Sequence, residues 1–463
     1  MSALPRLSAR AVALEVLGRY DARHGDAGEL LHSALEKTDR TGQATDLVYG
    51  VIRNMLLLDW LLAQIAQVNR HKVKPAVWNI LRLGVYELIF APKTAEYAIL
   101  NEAVNLARRR GSRKTAGFVN AVLRQLQRQI ADRNVRMEDQ RYDDRSVILR
   151  ADGSGCAFRS PLLPSPQRCP DEYLHLVWSL PRWLVQQWVQ TWGLDVAARI
   201  CRACNRHPSV IAWPNTQRIE AEELAERLAA EGVACRFWPE LRAVQLHCSG
   251  PLNALNAFGE GLFYVQDPAA QAAAVFLDPK SGDTVVDMCA APGGKSIACA
   301  LKMKDTGRIL ASDISPARLE QVNENVRRLG LSCIRCVSKE DLEKAVRSLK
   351  RIDTLILDVP CSNTGVLARR PEARHRLAKG LPLALVTRQQ ELLAYAKSLL
   401  RPGSALLYST CSILPQENTL QIQDMLKRHP DWVLLKEKIV LPSTENAENC
   451  DHDGGYTALL QIR

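Results

Sequence analysis

From Phe263 onward, short apolar runs of strand length alternate with stretches of helical length: TVVDM, RILAS, IRCV, TLILDV, ALLYS and finally TALLQI. That alternation predicts a parallel sheet with helices packed on both of its faces, an α/β arrangement. Ligands of such sheets bind at the carboxyl ends of the strands. The chemically unusual residues of this chain fall at those ends.

The rest of the chain reads differently. From Leu7 to about Ile130, apolar residues recur at helical spacing, as in Val51, Met55, Leu56 and Leu58, then Val77, Ile80, Leu81, Val85 and Leu88. A bundle of five to seven helices is expected, joined through residues such as 71–75 and 91–94, where Pro and Lys interrupt the pattern. Residues 136–170 turn to Asp, Arg, Ser, Gly and Pro, ending in SPLLPSPQRCP, and read as a linker too polar to fold alone. Trp178, Trp183, Trp188 and Trp192 then sit on a helical pattern as core residues, followed by a short mixed stretch. The 463 residues exceed what one core holds. The domains expected are 1–135, the linker 136–170, a small α/β segment 171–262 and the sheet domain 263–463.

Charge narrows the partners. The net charge is +11, and residues 1–150 hold 24 Lys and Arg against 16 Asp and Glu, so +8 of it lies in the helical part. An anion-binding module is expected there. The run Arg108, Arg109, Arg110, Arg113 and Lys114 is either a solvated face or an RNA contact. No stretch approaches the roughly 20 uninterrupted apolar residues of a membrane span, and the first residues lack the apolar core of a signal peptide, so no membrane partner and a cytoplasmic location are expected. The 13 cysteines are odd in number and lack framework spacing, which suits free thiols. Two CxxC pairs, Cys201 with Cys204 and Cys333 with Cys336, fall short of a four-ligand zinc site, and in a strand positions i and i+3 face opposite ways. No metal is expected.

The motifs carry more. The strand through Met288 runs into Cys289-Ala290-Ala291-Pro292-Gly293-Gly294-Lys295-Ser296 and then a helix. Small residues and paired glycines let backbone N–H groups approach a ligand at a helix N-terminus. A P-loop competes, since Gly-Lys-Ser matches its last positions, but Cys289 stands where its first glycine belongs. Asp313 ends the next strand about twenty residues on, where a carboxylate accepts from ribose hydroxyls or caps a helix. Leu357-Asp-Val-Pro-Cys-Ser-Asn-Thr-Gly365 puts a carboxylate, Asp358, and a thiol, Cys361, at the end of an apolar strand, and Tyr408-Ser-Thr-Cys-Ser412 puts Cys411 in the same setting. An unpaired carboxylate is not tolerated in a plain core. Asp267 before Pro268 reads as a helix cap.

With DMCAAPGGK, LDVPCSNTG and YSTCS in this order, the chain resembles the RNA cytosine-C5 methyltransferases, and within them the bacterial enzymes of 16S small-subunit ribosomal RNA. The resemblance covers nearly the whole chain, including a NusB-like region with Thr45-Asp-Leu-Val-Tyr-Gly-Val-Ile-Arg53 and the segment Phe263-Tyr-Val-Gln-Asp-Pro268. It implies a Rossmann-like S-adenosylmethionine-dependent methyltransferase domain, an all-α NusB-like RNA-binding domain, and a small α/β segment between. Residues 289–295 would hold the methionine part of S-adenosyl-L-methionine, Asp313 the ribose and Asp341 the adenosine. Asp358 would touch the target cytosine and the cofactor. Cys411 would be the nucleophile and Cys361 would help release the product. At Asp341 the family has Gly-Asp-Gly or Gly-Asp-Ala, whereas this chain has Ser338-Lys-Glu-Asp-Leu342, so Glu340 is an alternative. Arg369-Arg-Pro-Glu-Ala-Arg-His-Arg376 also departs from the family and suits an RNA backbone contact.

The chemistry then follows from the target. C5 of cytosine is a poor nucleophile, so a thiolate adds to C6 and makes an enamine whose C5 attacks the sulfonium methyl group. Asp358 stabilises the charge that develops on the ring. The expected partner is small-subunit ribosomal RNA, met by a monomer. A non-catalytic RNA-binding or assembly protein with a methyltransferase fold and a P-loop-like nucleotide hydrolase are the alternatives.

Overall fold

The computed structural model describes residues 6–22, 27–136, 141–247, 250–378, 380–446 and 449–463. The chain divides into two compact units, residues 1–207 with 367–377, and residues 208–366 with 378–463.

The first unit opens with six α-helices among the described residues: α1 (Ala9–Arg19), α2 (Ala27–Leu35), α3 (Thr41–Ala66), α4 (Pro75–Phe90), α5 (Glu96–Arg110) and α6 (Arg113–Gln129). Their starts follow from capping chemistry. Ser8 accepts from the Ala11 N–H, Pro75 opens α4, and Ser112 forms a capping box with Thr115. By length and composition α3 could cross a bilayer. It nevertheless carries Asp46, Arg53 and Asp59, and it buries Leu47, Val51, Leu58, Leu61 and Leu62 against α1, α2, α4 and α6. It is the core helix of the bundle.

Two sequence expectations are corrected in this unit. The stretch expected as a linker contributes strands: β1 (Ile130–Arg136), at the end of the region expected to be helical, forms an antiparallel sheet with β2 (Val147–Leu149) and β3 (Ser154–Phe158) of that stretch, in the order β1-β3-β2. Ile148, Cys156, Ala157 and Phe158 are buried, and Arg150 ties the sheet to α4 through the Ile89 carbonyl. A polar average concealed the few apolar positions that a small sheet needs when a core is already present. Residues 137–140 of that stretch lie outside the described residues. Helices α7 (Pro170–Val177), α8 (Arg182–Trp192) and α9 (Leu194–Ala203) complete the first 207 residues, with Trp178 and Trp188 in the core and Trp183 and Trp192 half-buried.

The second correction concerns the basic segment 369–376. Arg374, expected on an RNA-facing surface, is 2% exposed. Its guanidinium donates to the carbonyls of Arg53 (2.7 Å) and Cys204 (2.9 Å) and to Oδ1 of Asn205 (2.9 Å). Burial pushes its pKa down to about 9, so it stays cationic at neutral pH. Beside it, burial pushes His375 down to about 4, and the neutral ring donates from Nε2 to the Ile52 carbonyl at 2.7 Å.

The second unit holds two sheets. The smaller is antiparallel, in the order β5-β6-β4-β7, from β4 (Val210–Pro214), β5 (Cys235–Trp238), β6 (Ala243–Leu246) and β7 (Phe263–Val265), with helix α10 (Ala221–Ala230) and the single turn α11 (Asn256–Gly259). Phe263 therefore closes the small sheet rather than opening the large one. Its strand pairs with β4, Trp213 opposite Tyr264.

The larger sheet follows helix α12 (Pro268–Leu277), capped by Asp267 as expected. Strand β8 (Thr284–Asp287), helix α13 (Gly294–Lys302), β9 (Arg308–Ala311), α14 (Pro316–Leu329), β10 (Ile334–Cys336), α15 (Lys339–Arg347), β11 (Thr354–Asp358), β12 (Ala405–Thr410), β13 (Trp432–Val440) and β14 (Gly455–Ile462) give the order β10-β9-β8-β11-β12-β14-β13. The first five strands are parallel, β14 runs antiparallel to them, and the edge strand β13 pairs antiparallel with β14. Alternate residues feed two cores: Val285, Ile309, Ile356 and Leu407 on one face, Val286, Leu310, Leu355, Leu357 and Leu406 on the other. That two-sided burial is why these strands read as continuous apolar runs. The strand order reverses between β8 and β11, and this is where a doubly wound sheet opens a crevice at its carboxyl edge.

Arg374→Ala would strip the donor from buried carbonyls, at about 1–3 kcal/mol for each group left unsatisfied. The unfolding transition of the first unit in urea is expected at clearly lower concentration, and Arg374→Lys should not restore it, because an ammonium lacks the planar fork. An unshifted midpoint in either variant would rule out this role.

Candidate active site

The turn after β8 is built from small residues because backbone fills it. Gly293 has φ of 105°, and a Cβ there would sit 3.2 Å from Val322 on α14. The Ala291 N–H donates to Oδ2 of Asp313 at 3.3 Å, so the carboxylate at the end of β9 supports the loop that precedes α13. Helix α14 is capped by Ser315, not by Asp313. Asp313 is 4% exposed and also accepts from the Ser315 N–H. Next to it the apolar side chain of Ile314 is 64% exposed.

Lys295, on the first turn of α13, places Nζ 2.7 Å from Oδ2 of Asp358 at the end of β11. Burial alone would lower the pKa of this ammonium, but the charge and hydrogen bond of Asp358, with Asp287 and Cys411 nearby, hold it above the ordinary lysine value. A lysine paired in this way is not free to clasp a polyphosphate. The P-loop reading loses its cation as well as its first glycine.

The two thiols meet. Register pairs Leu357 with Tyr408 and Asp358 with Ser409, so the loops leaving β11 and β12 start at one level. Sγ of Cys361 and Sγ of Cys411 lie 2.9 Å apart. The Cys411 thiol also reaches Oδ1 of Asn363 at 3.1 Å, and Asn363 holds a left-handed φ of 62°, a conformation asparagine tolerates better than most residues. Gly365 lets the loops touch: its N–H donates to the Cys411 carbonyl at 2.9 Å, and a Cβ would come within 2.3 Å of the Gly454 carbonyl oxygen. Cys361 is buried and Cys411 partly open to solvent. The contact with Cys411, then burial, then the charges of Cys411 and Glu417, push the Cys361 thiol well above the usual cysteine range. Cys289 is pushed up to about 12 by burial and by Asp287, Asp358 and Asp313, which keeps it a neutral thiol.

Asp358, Lys295, Cys361 and Cys411 thus come together, with the loop 289–295 and Asp313 on the neighbouring strand ends. Asp341 follows the next strand of the sheet, β10, which pairs with β9. It lies on the first turn of α15, beyond the edge strand β10, where its N–H and carboxylate both engage the cap residue Ser338. Glu340 is exposed on the same turn. Sequence reasoning missed Asp287, Ile314, Asn363 and Glu417. An acidic residue ending an apolar strand signalled Asp287, and an apolar residue after a strand-end carboxylate signalled Ile314. Glu417 had no local signal.

The chain matches the family described as 16S rRNA methyltransferase RsmB/F over residues 274–453, the NusB family over 7–128, and the RsmF/B-like ferredoxin-like domain over 180–251. It is 30% identical over 436 residues to a probable ribosomal RNA small subunit methyltransferase B of Bacillus subtilis, covering 93% of this chain and 90% of the relative. It is also 30% identical over 390 residues to the ribosomal RNA small subunit methyltransferase B of Klebsiella pneumoniae, with 83% and 81% covered. Among solved structures, a methyltransferase homolog from Pyrococcus horikoshii is 26% identical with a TM-score of 0.53, covering 65% of this chain and 100% of its own. NSun6 from Pyrococcus horikoshii with SFG, 21% identical, shares the fold at a TM-score of 0.52 over 61% of this chain and 98% of its own.

Asp287 gives the site a pH signature. It is 1% exposed; burial, opposed by the Ser296 hydroxyl at 2.7 Å and by Lys295, pushes its carboxyl up to about 6. A carboxyl raised on folding contributes stability below its unfolded pKa and loses it as pH rises through the folded value. The melting temperature of Asp287→Asn minus that of the unsubstituted protein should therefore become more positive from about pH 4 to about pH 7. A flat or falling difference in thermal melts across that range would refute the assignment.

Proposed function

The chain belongs to the 16S ribosomal RNA methyltransferase RsmB/F family, and on that premise we propose that it methylates C5 of a cytidine in small-subunit ribosomal RNA through a covalent Cys411–C6 intermediate. The pair of sulfurs 2.9 Å apart beside the Asp358–Lys295 ion pair carries this reading. Family and fold imply S-adenosylmethionine, and the residues present suit it: a glycine turn with close backbone for the methionine portion, Asp313 for the ribose hydroxyls, exposed Ile314 for the adenine face, and Asp341 for the adenine edge. When bound, it supplies an electrophilic methyl group on a sulfonium centre.

This chain's own residues do the rest. Cys411, the more open sulfur, adds to C6 as a thiolate. Oδ2 of Asp358 is held by Lys295, leaving Oδ1 to accept from the cytosine amine, while the ammonium balances charge building on the ring. After the C5 proton is lost to solvent, the C6–S bond breaks and the electron pair returns to Cys411. Cys361, whose proton is firmly held, donates its S–H hydrogen bond to that departing sulfur. A basic ridge runs from the end of α5 to the start of α6, with Arg108, Arg109, Arg110, Arg113 and Lys114 all exposed. It would meet the RNA backbone. The chain would act as a monomer in the cytoplasm, where bacterial ribosomal RNA is made.

With S-adenosylmethionine and unmodified small-subunit RNA the protein should yield 5-methylcytosine. Cys411→Ala should abolish both the product and any covalent protein–RNA species on denaturing gels, whereas Cys361→Ala should accumulate that species. Product without Cys411, or equal adduct from the two variants, would sink the assignment. Replacing the ridge residues by alanine should weaken RNA binding and flatten its dependence on log salt by about one unit for each phosphate no longer neutralised, with cofactor affinity unchanged. An unaltered salt slope would move the RNA surface elsewhere.

A further inference from the structure

Beneath the two thiol loops lies a carboxylate that the reaction above does not use. Glu417, on the short turn Pro415–Glu417 after β12, is 0% exposed. Its Oε1 accepts from the Ser362 N–H at 2.9 Å and from Nε2 of Gln389, on the helix Leu381–Leu399, at 3.1 Å. Its Oε2 accepts from the hydroxyls of Ser362 and Ser412. A carboxylate offers about four acceptor positions, and four donors fill them here. None of the four is a cation. Burying an unneutralised carboxylate is unfavourable, and this one is held by the residues that directly follow Cys361 and Cys411.

The surrounding hydrogens fall into a consistent arrangement. With both serine hydroxyls pointing at Oε2, Thr364 donates to Oγ of Ser412 at 3.0 Å, and the N–H groups of Ile413 and Leu414 donate to Oγ1 of Thr364 and to Oγ of Ser412. Gln389 also donates to the Pro360 carbonyl at 3.1 Å, and Oη of Tyr408 donates to the Glu417 carbonyl at 2.7 Å. Glu417 thus bonds to both loops, beneath the direct contacts between them.

We propose that Glu417 is the positioning residue of the two-thiol site, the buried anchor shared by the loops carrying Cys361 and Cys411. The inference rests on the two-thiol reading of the reaction. Its second effect is electrostatic. Cys361 interacts with the titratable groups Cys411, Glu417 and Tyr408. Burial holds Tyr408 neutral, and Glu417 is among the groups that push the Cys361 thiol up. Behind the contact with Cys411 and burial, it adds to what keeps Cys361 a protonated thiol.

The test uses the full-length chain. Glu417→Gln keeps the shape and removes the charge. Single-turnover methyl transfer should fall about 10²-fold, the scale of a small misplacement of reacting groups, while the Kd for S-adenosylmethionine stays unchanged. A second readout uses a Cys411→Ala background, with iodoacetamide labelling of Cys361 followed peptide by peptide by mass spectrometry. There the labelling should reach half its maximal rate at lower pH once Glu417→Gln is added than with Glu417 intact. Loss of packing would also lower that midpoint by exposing Cys361, but it would raise the maximal labelling rate as well, which is expected to stay unchanged. Unchanged transfer or an unchanged labelling midpoint overturns the proposal. Should Glu417→Gln fail to fold, Ser362→Ala and Ser412→Ala each remove one donor to the same carboxylate, and unimpaired transfer in both overturns it equally. If the unsubstituted protein makes no 5-methylcytosine, the reading of the reaction fails instead, and the labelling midpoint still reports on Glu417.

Discussion

Every functional distance in the second unit depends on the placement of β11 between β8 and β12. Its backbone pairs with both neighbours, Ile356 opposite Asp287 on one side and Asp358 opposite Ser409 on the other. Parallel pairing sets the carboxyl ends of the three strands at one level. A slip of one residue would turn Asp358 and the apolar residues before it to the wrong faces. Close packing of Ile356 in one core and of Leu355 and Leu357 in the other opposes that slip. The chemistry inherits the register: the loops that follow are short, so the thiols they carry cannot stray far from the strand ends.

Charge at this edge is arranged in pairs of unequal fate. Asp287 and Asp358 both approach Lys295, yet only Asp358 bonds to it. Asp287 keeps the Ser296 hydroxyl instead and sits deeper. One carboxylate is therefore committed to the loop, and the other, at the mouth of the strand, stays partly open to solvent. The thiols divide similarly. Cys289 and Cys361 are both held neutral by burial and neighbouring acids, the Cys361 contact with Cys411 adding most. Cys411 differs from Cys361 in being partly open to solvent.

Much of this was legible in the sequence, and the parts that were not share a cause. The parallel strands were visible because burial on two faces leaves apolar runs. The edge strand β13 was missed because its middle, Lys436 to Lys438, is exposed and breaks the run. The thiols, Asp358 and the glycine turn announced themselves by chemistry at strand ends. Glu417 did not, because its partners Ser362 and Gln389 lie 55 and 28 residues away in sequence. Long-range hydrogen bonds between ordinary polar residues leave no periodic trace. Asn363 was in plain view within its motif, but only its left-handed backbone explains why an asparagine stands there.

The two arginine runs make the distinction concrete. Arg108 to Arg110 and Arg369 to Arg376 look alike by composition, and both suit RNA on sequence alone. The first ends a helix in water, where cations complement the exposed carbonyls of the last turn and remain hydrated. The second places Arg374 where the carbonyls of Arg53, Trp178 and Cys204 converge. A guanidinium suits that place because it stays charged and fans several N–H groups across a plane, whereas a lysine would be driven toward neutrality. Charge density alone cannot separate the two cases, since what decides is the supply of buried acceptors around the side chain. That supply is a property of the fold, set here by helices that meet only after the chain has travelled more than three hundred residues from Arg53 to Arg374.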